Sequence, residues 1–129
     1  MNILVGCNNL KSTGLGTFIY TQVQEFNRRG YDVDVVTLYK GKVSDQLSSN
    51  MIELDKVKKS YDLILVSQND ITHKLIKRNV LGHKIYTVKG LVFDNDLPND
   101  ETLSYVDNVV SICEEIKDRL KKENNIDSI

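Results

Sequence analysis

A doubly wound α/β domain on one parallel sheet is the fold class this sequence predicts, and three observations predict it. Short apolar runs alternate with amphipathic stretches of helical period along the chain. The first run, "ILVGC" at 3–7, is continuously apolar, the habit of strands covered on both faces. The 129 residues are the length of one domain, enough to bury roughly two thirds of the unfolded surface.

Each element has its own signal. After the first strand, Leu15 to Arg29 turns helical, with Ile19, Val23 and Phe26 at i, i+4 and i+7 on one face. Arg28 and Arg29 fall in the last turn, where cations suit the helix dipole, and Gly30 is placed as a left-handed C-cap. "YDVDVVTL" (31–38) is a second strand. Residues 40–50 read as a loop or weak element, and "MIELDKVKKS" (51–60) as a short third strand with a turn of helix. "YDLILVS" (61–67) is a buried strand. "DITHKLIKRN" (70–79) is an amphipathic helix with Ile71, Leu75 and Ile76 inward and Asp70 as N-cap. "HKIYTVKG" (83–90) is a strand, and "LVFDNDLPNDE" (91–101) a loop with Pro98 near the start of a short helix. "VDNVVSIC" (106–113) is the last strand. The last helix, 114–125, opens on Glu114 and Glu115 and ends on Lys121 and Lys122, matching the dipole at both ends. Such alternation implies right-handed crossovers and a Rossmann-like parallel sheet with helices on both faces, filling 1–129 as one domain.

Composition narrows the function. The 17 basic and 18 acidic side chains leave a net charge of -1, against a nucleic-acid binder with its concentrated basic face. No apolar run approaches the ~20 residues of a membrane span. "MNILVGC" has neither the basic start nor the apolar length of a signal peptide, so the expected location is cytoplasmic. Cys7 and Cys113 form no CxxC pair and are not spaced with His73 and His83 as a metal set; reduced thiols are expected. With two strands between the first and last, they would lie on the order of 14 Å apart, too far for a disulfide.

"STGLGTFIY" (12–20) holds the local signal for chemistry. The loop after the first strand of an open parallel sheet lies at the ligand-binding crevice. There the helix N-terminus favours anions, and Gly14 and Gly16 remove the Cβ atoms that would keep a phosphate or sugar off the main chain. A purely structural reading is equally available: the glycines permit a tight turn and close helix packing. A dinucleotide is disfavoured, because Ile19 stands where GxGxxG needs its third glycine. The second strand also ends in Tyr39 and Lys40 rather than an acidic residue. No GxxxxGK[ST] occurs, and Asn8 and Asn9 stand where a receiver domain needs acidic residues.

Taken together, "STGLGTFIYTQVQEFNRRGYDVDVVTL" and "VDNVVSICEEIKDRLKKENNI" resemble the N-terminal domain of a GT-B fold glycosyltransferase, of the large retaining family that uses nucleotide-activated sugars. The first segment resembles that family's Gly-Gly-x-Gly/Glu-Thr opening, its helix ending in Arg-Arg-Gly, and its second strand; Thr13 replaces the first glycine of the usual pair. The second resembles its Ser-Glu-Glu-Ile-Lys-Asp segment, with Cys113 in place of the helix-capping Ser. "YDLILVS" matches the strand between them. The resemblance implies that Gly14, Gly16 and Thr17 face the donor diphosphate. It implies an acceptor and sugar crevice lined by Asn8, Asn9, Ser67, Lys89 and Gly90, with no bound metal and no cofactor. It also implies a nucleotide-sugar donor, a sugar-containing or other acceptor, and a C-terminal domain, absent from this chain, that carries most of the nucleotide site. The chain alone is then expected to be inactive. Two departures stand out: "VSQND" and Lys89–Gly90 replace the histidines the family commonly has after those two strands. A stand-alone Rossmann-like binding or assembly module without catalysis is the alternative.

Other constellations read more simply. Asp94 and Asp96 form a DxD, either a divalent-metal ligand pair as in glycosyltransferases of a different fold, or an acidic loop that caps the helix after Pro98. Lys89, at a strand's carboxyl end, reads as a phosphate or carboxylate partner, or as a surface lysine with its stem along the sheet edge. Asn8, Asn9 and Ser67 could bind sugar hydroxyls or satisfy loop backbone. His73 reads as a surface residue. Lys117, Arg119, Lys121 and Lys122 read as a solvated helix face, with a weak peripheral contact to an anionic membrane as the other option.

Overall fold

The apolar run that opens the chain becomes the middle of the sheet. In the computed structural model, which describes residues 1–11, 14–90 and 94–129, β1 (Asn2–Asn9) lies between β2 (Asp32–Tyr39) and β3 (Ser60–Val66). β4 (Leu81–Val88) and β5 (Asn108–Ser111) follow, giving the order β2-β1-β3-β4-β5, and every pairing is parallel. This is a Rossmann-like α/β sheet flanked by helices. The order reverses between β1 and β3, and the crevice of such a sheet opens beyond the carboxyl ends there.

The expected third strand shrinks to a single parallel bridge, Met51 to Val35, followed by a 3₁₀ turn at Leu54–Lys56. Two backbone bonds make it: Val35 N–H to the Asn50 carbonyl and Ile52 N–H to that of Val35, both 2.9 Å. The weak element before it is a short helix, α2 (Lys42–Gln46).

The main helix, α1 (Gly14–Arg28), buries Ile19 and Val23 and half-buries Phe26, as its stripe requires. Gly30 closes it at φ 79°, the left-handed region that suits glycine. α3 runs from Asn69 to Lys77, so Asp70 is inside its first turn and is not the N-cap. Side chains from elsewhere satisfy the free amides: Asn8 Oδ1 accepts from Ile71 N–H and Asn95 Oδ1 from Asp70 N–H, both at 3.0 Å. α4 (Asp100–Tyr105) is capped by Asn99, whose Oδ1 accepts from Thr102 N–H at 3.0 Å. α5 (Glu114–Asn124) ends on Asn125 at φ 54°. Beyond it, Ile129 exchanges two backbone bonds with the edge of β5, at Val109 and Ser111.

The core divides at the sheet. On one face Ile71, Leu75 and Leu120 of α3 and α5 close over Leu4, Ile64, Tyr86 and Val109. On the other, Ile19 and Val23 of α1 and Val43 and Leu47 of α2 region close over Ile3, Val5, Val33 and Val35. Cys7 is buried and Cys113 exposed, both as free thiols. Among the described residues no helix is long and apolar enough to cross a membrane.

Candidate functional site

A cavity of about 780 Å3 opens beyond the carboxyl ends of β1, β3 and β4. Asn9 and Lys11 from the end of β1 form one part of its wall, and Ser67 and Gln68 after β3 another. Lys89 and Gly90 follow β4; Gly14, Leu15 and Phe18 come from the first turns of α1; Asn95, Asp96 and Ile112 complete the rim.

Lys89 is its chemical centre. Its Nζ donates to Ser67 Oγ at 2.6 Å and stands 4.5 Å from the centre of the Phe18 ring, a cation–π contact. Burial pushes its ammonium down to about 8, opposed by Cys7 and Asp96. Burial in turn pushes the Cys7 thiol up to about 12. Cys7 is therefore neutral at pH 7, and the Asp96 carboxylate is the group that then supports the lysine's charge. At pH 7 Lys89 is mostly a cation held on a hydroxyl and an aromatic face, able to meet an anion.

The two glycines of the turn have different surroundings. A Cβ added to Gly14 would meet nothing within 4 Å, so its backbone is bare to the cavity. A Cβ added to Gly16 would stand 1.9 Å from the Lys11 carbonyl oxygen. Gly16 is buried and lets α1 approach the preceding loop, the structural reading of that glycine. Gly90, like Gly14, is open, with nothing within 4 Å of an added Cβ. Ser12 and Thr13 lie outside the described residues.

Of the residues singled out in the sequence, Asn9, Gly14, Ser67, Lys89 and Gly90 are brought together around this cavity. Gly16 and Thr17 are not among its walls; Thr17 is exposed on α1, and its carbonyl accepts from Thr21 Oγ1 at 3.0 Å. Asn8 is buried away from it. Its Oδ1 serves α3, and its N–H donates to Gln68 Oε1 at 2.8 Å, tying the ends of β1 and β3 together. Asp96 is on the rim, whereas the Asp94 side chain lies outside the described residues, and with it the DxD pairing. Among the described residues no group of three or more His, Cys, Asp or Glu could hold a metal ion. His73 Nε2 is 3.1 Å from Asn99 Oδ1 and 3.6 Å from Glu101, bridging α3 to α4.

Phe18 and Ile112 belong to the site without having been singled out. Each had a signal. Phe18 is an aromatic off the apolar stripe of α1, and Ile112 is an apolar residue just past a strand end; they are 42% and 51% exposed. No protein-family model, no curated protein and no solved structure matches the chain.

Proposed function

We propose that this chain is the acceptor-side lobe of a glycosyltransferase that uses a nucleotide-activated sugar, completed by a second lobe closing over the cavity. One observation carries the reading. At the switch point of the sheet, bare main chain at Gly14 and Gly90 faces the same cavity as a half-buried cation, Lys89. A diphosphate needs close backbone approach and positive charge, and a helix N-terminus adds to both. The sequence resemblance to GT-B N-terminal domains supplies the chemistry. The acceptor oxygen bonds the anomeric carbon, the bond from that carbon to the diphosphate oxygen breaks with its electron pair staying on the departing nucleoside diphosphate, and the acceptor's proton passes to that diphosphate or to water. On this reading the reaction runs in the cytoplasm, the location expected from the sequence.

Calorimetric binding of UDP-glucose and GDP-mannose, with the matching nucleoside monophosphates as controls, tests the reading. A nucleotide sugar or diphosphate should bind more tightly than the monophosphate, and Lys89→Met should weaken it. If neither donor binds at millimolar concentration, the reading fails. Radiolabelled sugar transfer by the 129-residue chain alone should be absent; turnover would overturn the assignment to one lobe.

A further inference from the structure

The α1 side of the sheet is only half covered. Its described helices, α1 and α2, pack over β1 and β2. Beyond β1 the registers Val5–Leu65, Leu65–Ile85 and Thr87–Val110 carry the same face across β3, β4 and β5. Leu63, Leu65, Ile85 and Val110 are half-buried there, and Leu81 and Ile112 are 56% and 51% exposed. The helices that follow β3, β4 and β5 all place their apolar residues on the opposite face. The strip left open is three strands across, roughly 10–14 Å, and about 25 Å long from Lys89 to Leu81.

Charge is unequal along it. At its upper end stand Ser67 and Lys89, one alternation step beyond Leu65 and Thr87. Among the described residues the cavity there carries two cations, Lys11 and Lys89, against the Asp96 carboxylate, and it adjoins the N-terminus of α1. Below this head end the floor is Leu65, Ile85 and Val110, with Thr87 among them and His83 at the far end. A wholly apolar occupant leaves the excess of Lys11 and Lys89 over Asp96 unmet, and a free anion leaves the strip wet. An anion joined to an aliphatic chain satisfies both.

We propose that the cavity and the open strip together bind a single amphiphile, its anionic head on Lys89 and its chain on Leu65, Ile85 and Val110. The binding stands on the geometry and not on the transfer reading, because one lysine cannot hold the donor's diphosphate and this head at once. Lys89 is faced by Cys7 of β1, Ser67 of β3, Phe18 of α1 and Asp96 of the 3₁₀ turn at 94–96. Its charge fades above about pH 8, so head-group binding weakens as pH rises through that range.

The probe is dodecyl phosphate below its micellar concentration, titrated into the full chain and followed by calorimetry and by methyl shifts of Ile85 and Val110. Inorganic phosphate and dodecyl maltoside are the comparisons. Dodecyl phosphate should bind at least tenfold more tightly than either: roughly two buried methylenes supply the margin over phosphate, and the charge-assisted contact to Lys89 the margin over the maltoside. Lys89→Met should lose about tenfold and Lys89→Arg should keep most of the affinity. Ile112→Ser, an uncharged change at an exposed rim position, should weaken dodecyl phosphate several-fold more than it weakens inorganic phosphate. Equal affinity for dodecyl phosphate and phosphate would overturn the proposal, as would equal affinity for the maltoside. Unchanged binding by Lys89→Met, or self-association that buries Ile112 and excludes the probe, would do the same. Nucleotide-sugar binding without dodecyl phosphate binding removes this inference alone; the reverse result removes the transfer reading and keeps the ligand class.

Discussion

The two faces of the sheet are finished in opposite ways. On the side of α3, α4 and α5, the buried polar side chains among the described residues are tied to partners. Asn69 Oδ1 accepts from Thr102 Oγ1 at 2.8 Å and from Asn99 N–H at 3.1 Å, while its Nδ2 donates to the Leu97 carbonyl at 2.7 Å. The Tyr86 hydroxyl bonds to the Asn95 and Asp96 carbonyls, both at 3.0 Å, and the Tyr105 hydroxyl to that of Val80 at 2.6 Å. On the α1 side the sheet is left half open, and a lysine is kept partly out of water against its own preference. The first face gives up little by being closed. The second holds an unfavourable charge beside a cavity, which is where function is sought.

Five substitutions sharpen that contrast, from the largest effect down, with Gly14 set beside Gly16 as its control. Gly16→Ala drives a Cβ into the Lys11 carbonyl and should cost roughly 2–4 kcal/mol in urea unfolding. Gly14→Ala, with open space around it, should stay within about 0.5 kcal/mol. Equal effects at the two glycines would contradict the division between packing and cavity. On the closed face, Asn69→Leu strands the Leu97 carbonyl, the Asn99 amide and the Thr102 hydroxyl; a loss of about 2 kcal/mol is expected by thermal unfolding.

Lys89→Met should act in the opposite direction. The lysine's folded value, about 8, lies below its ordinary 10.5, so unfolding takes up protons between those values. Wild-type stability therefore gains a Lys89 contribution as pH rises from about 8 to 10.5, and below pH 8 the buried charge is a cost. Met should stabilise the protein by about 1–2 kcal/mol at pH 7 and by little at pH 10.5. A pH-independent difference between the two melting curves would mean that Lys89 is an ordinary surface lysine. The smallest gain is expected at the start of α5. Cys113 occupies the N-cap in extended geometry without a side-chain cap bond, and Cys113→Ser should add about 0.5–1 kcal/mol. A guanidinium unfolding midpoint that fails to rise would count against that cap geometry.

How much of this was readable beforehand follows from the range of the interactions. Strand and helix identities are local, and the apolar runs at 3–7 and 61–67 and the stripe of α1 announced them. β4 also hinted at its open face: "LGHKIYTV" is less continuously apolar than "ILVGC", and Ile85 and Thr87 are half-buried where Tyr86 and Val88 between and beyond them are buried. The site divided less cleanly. Gly14 and Gly16 look alike in sequence, yet one faces open space and the other a carbonyl set by the path of residues 10–11. Asn8 and Asn9 are adjacent asparagines, and strand alternation sends one to α3 and the other to the cavity. Capping of α3 by Asn8 and Asn95 spans 63 and 25 residues, which no short window of sequence contains.

The most direct measurement is a titration of the ¹⁵N-labelled chain with inorganic pyrophosphate and then UDP-glucose, at pH 7, in wild type and Lys89→Met. The account predicts saturating amide shifts at Asn9, Gly14 and Gly90, and their loss or marked weakening in the Met variant. Shifts that avoid these three amides, or that persist unchanged without the lysine, would contradict it.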